Sequence, residues 1–382
     1  MNTQPITRLA GTRDAEALRA EVRAFLSAEI ADRSPAERAE SWNGYDEAFS
    51  RKLGARGWIG MTWPKEYGGA ARSMAERYVV IEELLAAGAP VMAHWIADRQ
   101  SGALLLRHGS EEQRRSILPR VTAGECYFCI GMSEPDAGSD LAAVRCRARK
   151  VDGGYVINGT KLWTSNAHRA HYMILFCRTD SAEADNRHGG MSQFLIEMTH
   201  PALTVRPVLS LAGEHHFNEV TFTEAFVPDS SLLGKEGDGW AQVTAELSLE
   251  RSGPERFLSS FQMVVELSRG LRGAPDAAGT AALGRIAAHL VTLRQMSLGV
   301  SRLIDQGRDP AVQAALVKDL GAVLEQEIPE IARLILGVEA RRGDPALAGC
   351  LATTIMSAPS FSLRGGTREI LRGIIARGLG LR

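Results

Sequence analysis

The chain has 382 residues, a formal net charge of -1, 45% hydrophobic and 23% charged residues. That balance allows a sizeable core and two or three domains, and it lacks the basic excess of a nucleic-acid binder. No apolar run approaches the roughly 18 residues of a membrane span, and the opening MNTQPITRLAGTRDAE has no signal-like apolar core, so a cytoplasmic protein is expected.

From about residue 14 to 127 the apolar spacing is helical. DAEALRAEVRAFLSAEI sets Leu18, Val22, Phe25, Leu26 and Ile30 on one face, with Asp14 placed to cap. SMAERYVVIEELLAAG and SEEQRRSILPRV repeat the pattern, with Ser110 as an expected N-cap, and the Gly/Pro-rich GMTWPKEYGGAARS interrupts it. From about 128 to 228 the period changes to two. GGYVINGTKLWTS predicts a hairpin turning at Asn158-Gly159. HYMILFC, SQFLIEM, LTVRPV and NEVTFTEAFVP predict further strands. From about 229 onward the pattern is helical again, in segments long enough for a bundle. Within it, ELSLERSGPER carries Pro254, which deprives the Glu250 carbonyl of its helical donor and predicts a kink or loosened turn.

The expected fold is therefore α+β and multidomain. It comprises an N-terminal helical domain (1-127), a central β-domain (128-228) and a C-terminal four-helix-bundle-like domain (229-382). Cys126, Cys129, Cys146, Cys177 and Cys350 are odd in number and scattered, which argues for reduced, buried thiols rather than a disulfide framework. The Cys126-x-x-Cys129 pair lacks the second pair or His cluster of a zinc site, so no metal is expected. His215-His216, in an extended segment, is expected to be structural.

Four stretches together resemble the acyl-CoA dehydrogenase family: GWIGMTWPKEYGG (57-69), IGMSEPDAGSDL (130-141), INGTKLWTSNA (157-167) and GGTREILRGIIARGLGLR (365-382). The resemblance runs along essentially the whole chain and implies the helix–β–helix architecture, bound FAD, an acyl-CoA substrate and electron-transfer flavoprotein as electron acceptor. It implies a homotetramer or homodimer. A heteromer is the other implied assembly, because LILGVEARRGDPALAG lacks the Q-x-x-G-G-x-G loop with which many members reach a neighbour's FAD. The implied cofactor contacts are Ile130, Met132, Ser133, Trp163, Thr164, Ser165, Arg269, Thr367 and Glu369; Ser139 and Arg251 are the implied substrate contacts. A flavin needs donors at its pyrimidine end and a flat wall for its ring, and a guanidinium suits a pyrophosphate. Read singly, PDAGS is also a strand-end turn, Trp163 a core residue and Arg269 a helix-terminal cation.

In many members the catalytic glutamate immediately precedes the Gly-Thr of the C-terminal motif. Here Arg364-Gly365-Gly366-Thr367 places Gly365 there, and a glycine abstracts no proton. The family's other location is an E-R pair on a helix lining the acyl pocket, and LSLERSG matches it with Glu250 and Arg251. The competing reading is a solvated glutamate on a charged outer face with Glu246 and Glu255. The missing acid at 365 favours Glu250 as base. Two alternative functions share the fold: a flavin monooxygenase, and a non-catalytic subunit completing a partner's site.

Overall fold

The computed structural model describes residues 13-179, 186-251, 253-272, 276-337 and 343-381, with the side chains of 13-14 and 248-250 outside that description. The cap expected of Asp14 therefore lies outside it. α1 (Arg13–Glu29) carries the predicted apolar face, with Leu18, Val22, Phe25 and Leu26 buried. α2 (Pro35–Ala39), α3 (Glu47–Ala55) and α4 (Met74–Ala87) follow, and Ser34 and Ser73 open α2 and α4 with reciprocal capping boxes to Glu37 and Glu76. α5 (Met92–Ile96) passes through a π-helical turn, Ala97–Ser101, into α6 (Gly102–His108). α7 (Glu111–Thr122) begins at the expected Ser110 cap.

The strands are β1 (Phe128–Gly131), β2 (Arg147–Val151), β3 (Gly154–Ser165), β4 (Tyr172–Arg178), β5 (Met191–Glu197), β6 (Leu203–Val208) and β7 (Phe217–Pro228). Among the described residues these seven form one sheet in the order β1-β4-β2-β3-β7-β6, with β5 pairing β4. β1 and β4 are parallel, and the long β3–β7 pair is antiparallel. Tyr155, Ile157, Met173, Leu175, Phe194 and Phe222 fill its core.

One strand expectation fails. Asn158-Gly159 is a bulge inside a continuous β3, where the register against β7 shifts, and not a hairpin turn. The reason is local: Asn158 spends its amide on Glu224, accepting the backbone N–H at 2.9 Å and donating to the carboxylate at 2.6 Å. Gly159 has φ +143°, and a Cβ there would lie 2.7 Å from Cys146 Cα. The β2–β3 turn falls instead at Asp152-Gly153.

The helices after the sheet are α8 (Gly239–Glu250), α9 (Phe261–Arg272), α10 (Ala277–Asp305), α11 (Ala311–Ile335), α12 (Pro345–Ser357) and α13 (Arg368–Gly378). Pro254 does not kink a continuing helix. α8 stops at Glu250, and Pro254 opens a separate 3-10 turn to Arg256, where a missing N–H leaves no bond unmade.

The chain divides into two compact units. The helical unit holds α1, α2, α4 and α9 to α13; the sheet unit holds the sheet, α3, α6, α7 and most of α5 and α8. In the helical unit, Glu82 and Glu83 of α4 are buried, which is tolerable only with countercharges. Arg19 pairs with both, Arg23 reaches Glu83 at 2.7 Å, and Arg294 reaches Glu82 at 2.6 Å. All five cysteines are buried and free. Burial pushes the Cys126 and Cys146 thiols up to about 11, far from thiolate chemistry at neutral pH. No helix among the described residues is long and apolar enough to cross a membrane.

Candidate active site

In the sheet unit, β1 ends at Gly131 and the chain turns through Met132 and Ser133, with Ile130 at the strand's end half-buried. Lys161 of β3 holds this turn. Its side chain is fully buried, and Nζ donates to the Met132 carbonyl at 3.0 Å and to Glu134 Oε1 at 2.8 Å. Glu134 also accepts the backbone N–H groups of Arg145 at 2.7 Å and Cys146 at 2.9 Å. Leu162 N–H donates to the Ser133 carbonyl at 2.9 Å. The pair is satisfied on both sides, so it fixes geometry rather than merely burying charge. Gly131 makes room: a Cβ there would stand 3.2 Å from Lys161 Cγ and 2.7 Å from Met173 Sδ.

Just beyond Lys161, the register of β3 against β7 slips again before Thr164. Trp163 sits in this bulge with φ +61° and is 55% exposed, its ring edge-on to Phe217 at 5.8 Å. A bulky residue in left-handed backbone costs about 1–3 kcal/mol and persists where the surroundings enforce it. The core reading of Trp163 is therefore excluded. Thr164 is 1% exposed, and its hydroxyl has no hydrogen-bond partner. Leaving such a group unsatisfied costs about 1–3 kcal/mol unless a bound molecule completes it. Ser165, half-buried, closes the strand. Asn218 Nδ2 donates to the Thr164 carbonyl at 3.0 Å, and Asn218 Oδ1 is shared by His168 at 3.2 Å and His215 at 2.8 Å. The His215 ring stacks on His168 at 3.8 Å. The displaced aromatic, the orphaned hydroxyl and the pinned Met132-Ser133 turn fit a flat heteroaromatic ring such as a flavin's. Ser139 is exposed, one residue before Asp140, which Arg187 holds at 2.6 Å.

In the helical unit, Glu250 ends α8, and its side chain lies outside the described residues. Its neighbours are not a charged outer face. Glu246 and Arg251 are 6% and 5% exposed, and Glu255 and Arg256 are fully buried. Arg251 Nε donates to the Gly365 carbonyl at 2.8 Å. Gly365 and Gly366 have φ of +68° and +99°, and a Cβ on Gly366 would meet Arg251 Nη2 at 3.2 Å. The position where many relatives carry the acid is thus backbone that disfavours any side chain. Arg269 is half-exposed and ion-paired to Glu266 at 2.7 Å and Asp344 at 2.6 Å, so its fork is engaged within its own chain. Those two carboxylates, Glu266 first, raise its pKa. Thr367 opens α13, and the exposed Glu369 is held below the usual carboxylate range by its own backbone N–H and then by the Thr367 hydroxyl. Part of LILGVEARRGDPALAG, residues 338-342, lies outside the described residues.

Sequence reasoning missed Lys161 and Asn218. The available signal was a lysine alternating with Leu162 on a strand that is otherwise inward-apolar, but its partner Glu134 is visible only once the β1 turn and β3 are paired.

The chain matches the family described as "Acyl-CoA dehydrogenase, N-terminal domain" over residues 12–125, the middle domain over 129–225 and the C-terminal domain over 237–380. It is 32% identical over 373 residues to acyl-CoA dehydrogenase FadE29 of Mycobacterium tuberculosis, covering 94% of each chain. It is similar to the solved Tcur3481-Tcur3483 steroid ACAD, with TM-score 0.87, 28% identity, and coverage of 98% of this chain and 100% of the other. It is likewise similar to the ChsE4-ChsE5 complex from Mycobacterium tuberculosis, with TM-score 0.84, 29% identity, and coverage of 98% and 100%.

Proposed function

The chain belongs to the acyl-CoA dehydrogenase family, a family of flavoprotein oxidoreductases, and on that premise we propose that it binds FAD and dehydrogenates an acyl-CoA thioester between its α and β carbons. The observation that carries the cofactor reading is the end of β3, where a strained, exposed Trp163 stands beside the buried, partnerless hydroxyl of Thr164. In the sheet unit, Ile130, Met132, Ser133, Trp163, Thr164 and Ser165 would hold the flavin. In the helical unit, Thr367, Glu369 and Arg269 occupy the family's other cofactor positions, and Arg269 would exchange Asp344 for phosphate. FAD, when bound, supplies the acceptor for the β-hydrogen.

The chain's own part is acid–base chemistry. A thioester α-proton is acidic enough to remove only when the carbonyl is polarised by placed donors. The Glu250 carboxylate takes that proton on an oxygen. The Ser139 hydroxyl steadies the CoA chain. Electrons leave to an electron-transfer flavoprotein. The likeness to a steroid ACAD supports a bulky or branched acyl group. Exposed Leu320, Leu334, Met356, Leu363, Leu379 and Leu381 in the helical unit support assembly with a second copy or a related chain.

The test is anaerobic titration of the purified protein with acyl-CoAs of graded length and branching, following flavin absorbance. Stoichiometric flavin that bleaches with at least one thioester is the expected result. Flavin that bleaches with none, but turns over once an external reductant and oxygen are added, would favour the monooxygenase. A colourless protein that gains no flavin on reconstitution would favour the accessory subunit.

A further inference from the structure

Between Glu250 and α9 the chain crosses ten residues, 251-260, and among those described no helix stiffens it except the short Pro254–Arg256 turn. Such a connection should be the loosest part of the bundle, yet it is buried throughout its described length apart from Gly253. One side chain holds most of it. Arg364 Nη2 donates to the Glu255 carbonyl at 3.1 Å, to Ser259 Oγ at 2.5 Å and to Glu325 Oε2 of α11 at 3.1 Å. Glu325 in turn accepts the Ser259 N–H at 2.8 Å, and its carbonyl accepts Ser260 Oγ at 2.8 Å. The Arg364 guanidinium lies 4.5 Å from the Trp42 ring and 4.6 Å from Phe361, and Arg256 lies over the same Trp42 at 5.5 Å. The connection also presses directly on α11: a Cβ on Gly321 would fall 2.0 Å from the Arg256 carbonyl oxygen.

This arrangement is not the cheapest way to fill the space. Well-packed apolar residues are often as stable as a buried ion pair or better, and Arg364 Nε and Nη1 are buried without hydrogen-bond partners. Burial holds its pKa down to about 10, against the opposing pull of Glu325. What the arginine supplies is position. It is covalently next to Gly365, whose carbonyl receives Arg251, the residue after Glu250. The two arginines therefore tie the segment that follows Glu250 to the Gly365-Gly366 loop from both directions.

We propose that Arg364 is a positioning residue for proton abstraction: by clamping residues 255 to 259 to α11 and to the C-terminal loop, it fixes where α8 ends and so where Glu250 stands. The inference rests on Glu250 being the base. Arg251 belongs to the same device through its bond to the Gly365 carbonyl.

The test isolates the proton step with a 3-thiaacyl-CoA, which has acidic α-protons but no β-carbon to lose hydride. Exchange of its α-protons in D2O is followed by NMR for wild type, Arg364→Lys, Ser259→Ala, Ser259→Thr and Glu250→Gln, with thioester affinity and flavin content measured on each. A misplacement of about 1 Å costs about 100-fold in rate, so Arg364→Lys should lose exchange on that scale while affinity and flavin content stay within about threefold of wild type. Ser259→Ala should lose roughly tenfold, and Ser259→Thr, which keeps the hydroxyl, should recover most of it. If Arg364→Lys does not fold, the Ser259 pair decides alone. Exchange lost in Glu250→Gln but kept in the Arg364 and Ser259 variants overturns the inference and leaves the base assignment standing. Affinity and flavin content falling in parallel with exchange overturns it too, since that is a scaffold role. Exchange that survives Glu250→Gln overturns both.

Discussion

Lys161 in the sheet unit and Arg364 in the helical unit are both buried cations, and they are held in opposite ways. Lys161 meets one carboxylate and one carbonyl, and Glu134 is completed by two backbone N–H groups. Arg364 crowds its bonds onto one nitrogen, leans on two aromatic rings and leaves two nitrogens without partners. The first is a closed staple that makes a strand end rigid. The second is a clamp on an irregular connection, where the polar groups are spent on placing backbone.

Breaking the staple should give the largest stability effect. Lys161→Met leaves Glu134 buried without its countercharge, which costs about 3–5 kcal/mol. Urea unfolding should show that loss, and Glu134→Gln in the same chain should restore much of it, because removing both charges is milder than removing one. A Lys161→Met loss below about 1 kcal/mol would mean the pair is incidental. Thr164→Val separates stability from binding. Removing an unsatisfied buried hydroxyl should stabilise the flavin-free protein by about 1 kcal/mol, while flavin affinity falls about tenfold. Both quantities moving the same way would remove Thr164 from the flavin site. At the clamp, Gly365→Ala forces a Cβ into φ +68° and should cost about 1–2 kcal/mol in thermal unfolding.

The smallest effect sharpens the contrast through pH. In the sheet unit His108, His168 and His171 are all held below the ordinary histidine value of 6.5, in each case first by burial, then by Arg107, His215 and Arg120 respectively. A lowered folded pKa means the unfolded chain binds protons first. The stability these groups contribute is therefore present above 6.5 and lost as pH falls below it. In the helical unit the groups held down in the acid range are carboxylates. Glu76 is held down first by the Ser73 N–H, and Asp344 first by the Leu347 N–H and then by Arg269. Their contribution is present above the ordinary carboxylate range and goes only below it. Between pH 7 and pH 5.5, hydrogen-exchange protection, taken relative to the intrinsic rate at each pH, should fall in β3 and β7 before it falls in α10 and α11. The reverse order would contradict the assignment.

The same contrast explains what the sequence made legible. Helices with a clean apolar stripe, such as α1, and strands of continuous β-branched and aromatic residues, such as β4, declare themselves through local period. Ser110 was legible because a capping box is a local device. Asn158-Gly159 misled because a bulge and a turn share the same chemistry, and only the pairing of β3 with β7 separates them. Pro254 predicts a kink or a loosened turn, and a single break in the pattern cannot tell either from the end of the helix. Trp163, Thr164 and Ser165 were found by motif, but the strain and the orphaned hydroxyl that give them meaning are properties of the folded register. Lys161 with Glu134, and Arg364 with Glu325 and Ser259, lie far apart along the chain, and no local pattern joins them.

The central claim is that Glu250, and not the segment at Gly365, supplies the base. The most direct measurement is the rate of anaerobic flavin reduction by the best acyl-CoA of the panel, in wild type and in Glu250→Gln. The predicted result is a flavin-loaded variant that binds the thioester normally and reduces about 100- to 10,000-fold more slowly. Reduction at the wild-type rate in Glu250→Gln would contradict the account.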